Sequence, residues 1–218
     1  MSVTVLIDND VVIKLSKMDA YVDGLAAIGV TPAQVGSLKV MLRYMGRADP
    51  QRRSRLTAGQ AESDRLQNAL QSITELEMTP EEARISTQLM AAVLTAGLDI
   101  QGGELALCVV AVCRGDLDLC TGDKKAIRDF PAFEGIWAPM SQLRGRCICL
   151  EQIFQKLCSE GRLARVRKAV SSSPRADDTI SFVYDQTAKH GERGFIAGLD
   201  LVIKDHIEEP APGWLKVL

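Results

Sequence analysis

The stretch Val3-Thr4-Val5-Leu6-Ile7-Asp8-Asn9-Asp10 constrains this chain more than any other, because an apolar run rich in β-branched residues stops abruptly at two acids. The run reads as a short buried strand, and Val11, Val12, Ile13 and Leu15 continue it as a helix leaving the strand end. Asp8 then stands at a carboxyl end, the edge where open parallel sheets bind ligands. A carboxylate there is costly to desolvate unless it meets a cation or a donor. The plainer alternative is that Asp8 or Asp10 caps the helix that follows.

Further along, the same strand-then-helix pattern recurs. Helical spacing covers Asp10 to about Tyr21, with Lys14 and Lys17 on its polar side. Thr31-Pro32 reads as a helix start, Thr as N-cap and Pro in the first turn, of a helix whose apolar face runs from Val35 to Met45, although Gly36-Ser37 also permits a short second strand near Val35. Arg43, Arg47, Arg52, Arg53 and Arg55 cluster around an Asp49-Pro50 break; they read as a solvated loop face, with phosphate contact as the alternative. Ala58 to Leu76 is expected as one helix, and Thr79-Pro80-Glu81-Glu82 as the capped start of another that ends before Gly97. Gly103-Glu104 opens the apolar run Leu105 to Cys113, a helix that should be buried against the sheet.

Leu117 to Thr121 is a second strand ending in an acid, Asp123, before Lys124-Lys125-Ala126-Ile127 turns helical. A Pro-bearing loop is expected over residues 130–140, a strand at Arg146 to Leu150, and a helix from Glu151 to Cys158. After that the texture changes. Arg162, Arg165, Arg167 and Lys168 lie on one helix face, Ser171 to Pro174 read as a linker or helix stop, and Glu208 to Gly213 as a loop or tail. We therefore expect an α/β fold, a central, mostly parallel sheet flanked by helices over residues 1–158, with a helical C-terminal extension over residues 159–218.

Composition narrows the function classes. A formal charge of −2 and a pI near 5.8 supply no global basic field for nucleic acid or an anionic membrane. The chain lacks a signal-like start and any span of bilayer length, so a cytoplasmic protein is expected. Six cysteines without a CxxC pair read as small core hydrophobes in a reduced compartment rather than as a zinc site. His190 and His206 are isolated and expected to be uninvolved in catalysis, and Trp137 and Trp214 to pack or anchor rather than stack bases.

Right-handed parallel crossovers bring Asp8, Asp10 and Asp123 to one sheet edge, with Glu104 on a helix that starts there. Crowded carboxylates repel until they are protonated or neutralised by divalent cations, and an all-oxygen set suits Mg²⁺ or Mn²⁺. Such ions serve phosphodiester hydrolysis. With Ile7 to Lys14, Gly103 to Ala106 and Leu119 to Ile127 in this order and spacing, the chain resembles the PIN domain over about Val3 to Cys158. The resemblance implies a parallel sheet flanked by helices and a Mg²⁺- or Mn²⁺-dependent ribonuclease acting on single-stranded RNA, in many bacterial members the toxin of a toxin–antitoxin pair with an antitoxin protein as partner. On that pattern Asp8, Glu104 and Asp123 would hold metal, with Asp10 a supporting catalytic acid. Lys14, Lys124 and Arg43 are the candidate phosphate contacts.

The chain departs from the family at one place: the acid expected just after the second strand is replaced by Ser37-Leu38-Lys39, so Asp99, Glu75 or Glu77 would have to substitute. An incomplete acid set leaves open a scaffold that binds RNA or protein without catalysis. A third reading takes Asp8-Asn9-Asp10-Val11-Val12 as the nucleophile motif of haloacid-dehalogenase-type phosphatases, although Ile127 stands where that family expects a further acid. The basic extension could bind RNA or join two copies of the chain into a homodimer.

Overall fold

In a computed structural model, which describes residues 2–159 and 161–218, the chain forms a five-stranded sheet with every pair parallel and helices on both faces. The elements run β1 (Val5–Ile7), α1 (Asn9–Lys17), α2 (Tyr21–Ala27), β2 (Val35–Leu38), α3 (Lys39–Tyr44), α4 (Pro50–Leu56), α5 (Gln60–Ser72) and β3 (Thr74–Leu76). They continue through α6 (Pro80–Thr95), α7 (Gly102–Arg114), β4 (Asp118–Thr121), α8 (Lys124–Ile136), β5 (Cys147–Cys149) and α9 (Leu150–Ser159). The C-terminal helical region is α10 (Leu163–Ser172), α11 (Asp178–Thr187) and α12 (Gly191–Ile203).

Strand order is β3-β2-β1-β4-β5. From β1 the chain winds outward to β2 and β3, then returns to pair β4 with the other side of β1 and winds outward again to β5. Direction reverses between β1 and β4. At such a switch point the two flanking crossovers leave in opposite senses and open a crevice at the strands' carboxyl ends.

Alternation along each strand divides the core into two layers. Val5, Ile7, Cys120 and Ile148 face a layer covered by α1, α2, α5, α9 and the C-terminal helices, which contribute Val166, Val170, Ile180, Phe195 and Leu199. Leu6, Leu119, Cys147 and Cys149 face the other, where α6, α7 and α8 pack. Every residue of α7 from Glu104 to Val112 is buried, as its unbroken apolar run requires. All six cysteines are free thiols, and Cys113 alone among them is exposed. No helix among the described residues is long and apolar enough to cross a membrane.

Several expectations need correction. Residues 74–76 are not the end of α5: Ile73 breaks the helix and β3 pairs with β2, so tertiary pairing overrides the helical periodicity. The arginine-rich stretch is not a bare loop, because Asp49 accepts from the Arg52 N–H and caps α4, while the buried Arg53 guanidinium donates to the Gly46 carbonyl and to Gln67. Phe130 to Ile136 is helical despite Pro131, since α8 continues through it, and a 3₁₀ segment follows from Ala138 to Leu143. Val35–Leu38 takes the strand alternative.

The tail is ordered by the sheet edge. Leu215 bridges β5 in parallel fashion, the Cys147 N–H donates to the Trp214 carbonyl at 3.1 Å, and the Lys216 N–H to the Cys147 carbonyl at 2.7 Å. Trp214 is fully buried, its ring 5.3 Å from Phe130 and covered by the Arg144 guanidinium at 4.7 Å. Trp214→Ala should therefore lower the unfolding free energy by about 3–5 kcal/mol, measured by urea denaturation, through the cavity it leaves.

Candidate functional site

Each strand-to-helix junction at the switch point is built around an acid. Asp8 ends β1 in extended backbone and its Oδ1 accepts from the Asn9 N–H at 2.7 Å, so it caps α1. Asp123 follows β4 and its Oδ1 accepts from the Lys125 and Ala126 N–H groups at 2.8 and 3.2 Å, capping α8. Glu104, three residues into the start of α7, reaches back so that Oε2 accepts from the Gln101 N–H at 2.9 Å. The helix-capping alternative for Asp8 is therefore real. It is also what aims the acids, since a carboxylate pinned through one oxygen presents the other to a fixed place.

That place is a cavity of about 710 Å³ lined by Asp8, Asp10, Glu104, Asp123, Lys14 and Lys124, together with Asn9, Met41, Tyr44, Gln101, Gly103, Gly122 and others. Asp10 lies against Gly122: a β-carbon there would meet the Asp10 carboxylate, so a side chain at residue 122 would make Asp10 shift. The Asn9 Oδ1 is buried without a hydrogen-bond partner.

The acids feel burial and one another. Desolvation, with added repulsion from Asp10 and Asp123, pushes Asp8 up to about 6 despite its backbone donors. For Glu104, desolvation again leads, followed by the charges of Asp123 and Asp8, and its pKa reaches about 8; in the protonated form its carboxyl donates to Asp123. A buried carboxyl poised near neutrality beside like charges is an arrangement that either shuttles a proton or awaits a cation.

Both lysines are already engaged. Lys14 bridges Asp10 at 2.6 Å and Asp177, just before α11, at 2.8 Å. Burial pulls the Lys14 ammonium down, but Asp177 and Asp10 outweigh it and hold the charge above its ordinary range. Lys124 donates to the fully buried Glu151 at 2.6 Å and to Thr179 at 3.3 Å. Thus the C-terminal extension is tied to the site through two cations expected to be available for phosphate.

The remaining expectations divide. Arg43 is exposed on α3 and lies outside the cavity lining. Asp99, Glu75 and Glu77 do not line the cavity either: Glu75 and Glu77 pair with Lys39, and Asp99 with Lys125 at 3.5 Å. Ser37, where the family pattern expects an acid, is buried and donates to the Ile7 carbonyl at 3.0 Å. Ile127 is fully buried and apolar. Asn9, Gln101, Gly122 and Tyr44 were not singled out from the sequence; the orphan amide, the cap and the glycine contact become visible only once α1, α7 and β4 are adjacent.

A hard divalent cation fits the donor chemistry, an all-oxygen set of mutually repelling carboxylates with the orphaned Asn9 oxygen beside them. No three His, Cys, Asp or Glu side chains among the described residues form a ready-made metal cage. The chain matches no protein-family model, no curated protein and no solved structure.

Raised carboxyl pKa values carry a stability consequence. Because Glu104 holds its proton more tightly folded than unfolded, its favourable contribution is complete below its ordinary value near 4.5 and is lost as pH rises through about 8. Glu104→Gln keeps the acceptor for Gln101 and removes the charge. It should raise the melting temperature at pH 8, by about 2–4 °C for each kcal/mol recovered, and leave it nearly unchanged at pH 4; differential scanning calorimetry at both pH values reads this out.

Proposed function

We propose that this protein is a metal-dependent nuclease that hydrolyses phosphodiester bonds of single-stranded RNA, in the manner implied by its resemblance to the PIN domain. The observation that carries the reading is the convergence of Asp8, Glu104 and Asp123 on one cavity at the switch point, each pinned by a helix N-terminus, with Asp8 and Glu104 held at raised pKa by burial and mutual repulsion.

Asp8, Glu104 and Asp123 would hold Mg²⁺ or Mn²⁺. Bound there, such an ion supplies a Lewis acid that polarises a phosphoryl oxygen and acidifies water. The protein's own groups do the rest. Without an ion Glu104 keeps its proton near neutrality, and binding the ion would release that proton and leave the carboxylate as a ligand. Asp10, kept in place by Lys14 and the absence of a side chain at Gly122, adds negative charge at the cavity mouth. The N-termini of α1, α7 and α8 point toward the same edge, and their dipoles favour negative charge there, whether carboxylate or phosphate. Service as a toxin with an antitoxin partner belongs to the same proposal.

A second reading, a PIN-like scaffold that binds without cutting, is favoured by two observations: the acids have complete capping roles, and no acid stands at Ser37. Mn²⁺ titration by calorimetry with single-stranded RNA cleavage on the same samples separates the two. We expect wild type to bind Mn²⁺ and cleave. Asp8→Asn keeps a good N-cap and should lose metal affinity by at least about 10–100-fold, the range seen even for outer-shell changes, with cleavage falling alongside. RNA binding without metal binding or cleavage in wild type would sink the nuclease reading in favour of the scaffold.

A further inference from the structure

Lys14, Lys124 and Lys125 line the cavity with the acids, and each is paired internally, Lys14 with Asp10 and Asp177, Lys124 with Glu151 and Lys125 with Asp99. A polyanionic substrate then needs other partners, and the structure offers them on one side of the cavity. Tyr44, at the end of α3, lines the cavity while 51% of its surface is exposed. Val40, one helical turn earlier on the same side of α3, is 67% exposed. The Arg52 guanidinium of α4 lies over the Tyr44 ring at 5.2 Å from its centre.

Two large side chains left in water beside a carboxylate cluster are poorly explained by packing. An aromatic ring backed by a guanidinium is a stacking platform, since the cation polarises the ring and every nucleobase has a π-face to lay against it. The charges around it differ from those of the lysines: among the described residues no carboxylate pairs with Arg43, Arg52 or Arg55. These guanidinium groups keep their donors for phosphate oxygens.

We infer that Tyr44 stacks an unpaired base of the substrate next to the scissile phosphate, with Arg52 supporting the ring and Arg43 meeting the backbone. This rests on the nuclease reading and extends it. The site takes an oligonucleotide whose bases are unstacked, because a duplex keeps its faces covered and a small phosphate ester has no base to offer. Tyr44 is a positioning residue here, acting on the nucleotide beside the reacting atoms.

The test is fluorescence anisotropy of a labelled single-stranded RNA binding to the Asp8→Asn protein, which keeps the RNA intact, compared with the same protein carrying Tyr44→Ala or Tyr44→Phe. An RNA of the same length with abasic sites is the control. Tyr44→Ala should weaken binding about tenfold, the equivalent of one stacked base, Tyr44→Phe should bind within about twofold of the parent because the ring is kept, and all three should bind the abasic RNA alike. Equal RNA binding by Tyr44→Ala and the parent, or a loss in Tyr44→Phe matching that in Tyr44→Ala, overturns the inference. The two readings fail separately. RNA binding that depends on Tyr44 without cleavage by wild type removes the nuclease reading and keeps the stacking role. Mn²⁺-dependent hydrolysis of bis(p-nitrophenyl) phosphate by a wild type that binds no RNA keeps the phosphodiesterase and removes Tyr44 from it.

Discussion

Repulsion among carboxylates held at one sheet edge is the constraint on which the rest of the structure depends. Three acids of like sign cannot be gathered in a partly desolvated crevice unless something else fixes them, and here the fixing is done by helix starts. Asp8, Glu104 and Asp123 each accept from backbone N–H groups that a helix would otherwise leave unpaired. Each cap contributes on the order of 0.5–2 kcal/mol, so local helix energetics offset part of the electrostatic cost. The sheet order supplies the remainder, since only adjacency of β1 and β4 with divergent crossovers brings the three helix ends to one opening.

The lysines complete the balance from inside. Lys14 joins α1 to the residue preceding α11, and Lys124 joins α8 to the start of α9 and to Thr179 of α11. Burial raises the cost of leaving Asp177 ionised, yet the Lys14 ammonium and the Ile180 N–H keep its carboxyl below the ordinary range. The C-terminal region thus does more than cover the apolar layer that receives Val166, Ile180 and Phe195; it returns the Asp177 carboxylate and the Thr179 hydroxyl to cations at the rim of the site. A buried pair such as Lys124 with Glu151 adds little net stability against an apolar substitute, whereas removing one partner strands a charge, so its consequence is positional specificity.

Much of this was legible in the residues. The strands at Val5–Ile7 and Asp118–Thr121 and the buried α7 follow from short apolar runs that stop at acids and from an unbroken apolar helix, signals that depend on few neighbours. The parallel α/β class followed from their alternation. What was hidden depends on pairing at a distance. Thr74–Leu76 carries no strand signature, with Thr74 and Glu75 both exposed, and becomes β3 only because Val35–Leu38 presents an edge to it. Trp214 and Leu215 read as tail until Cys147 gives them hydrogen bonds. For the site, Asp8, Asp10, Glu104 and Asp123 were legible as acids at strand ends, while the fates of Lys14 and Lys124 were not, because their partners lie 163 and 27 residues away along the chain.

The same accounting bears on why a crevice so unfavourable for charge persists in the fold. Asp8 near 6 and Glu104 near 8 mean that folding alone leaves the site short of positive charge, although two lysines stand beside it. Had the fold needed only neutrality, an amide at residue 104 would keep the cap to Gln101 and remove the repulsion. A carboxylate there is useful where a cation or a reacting proton is to be received. On the proposed reading the two tasks fall to different residues: Arg43 and Arg52, which pair with no carboxylate among the described residues, would grip a polyanion, and the groups of the cavity would polarise one of its bonds.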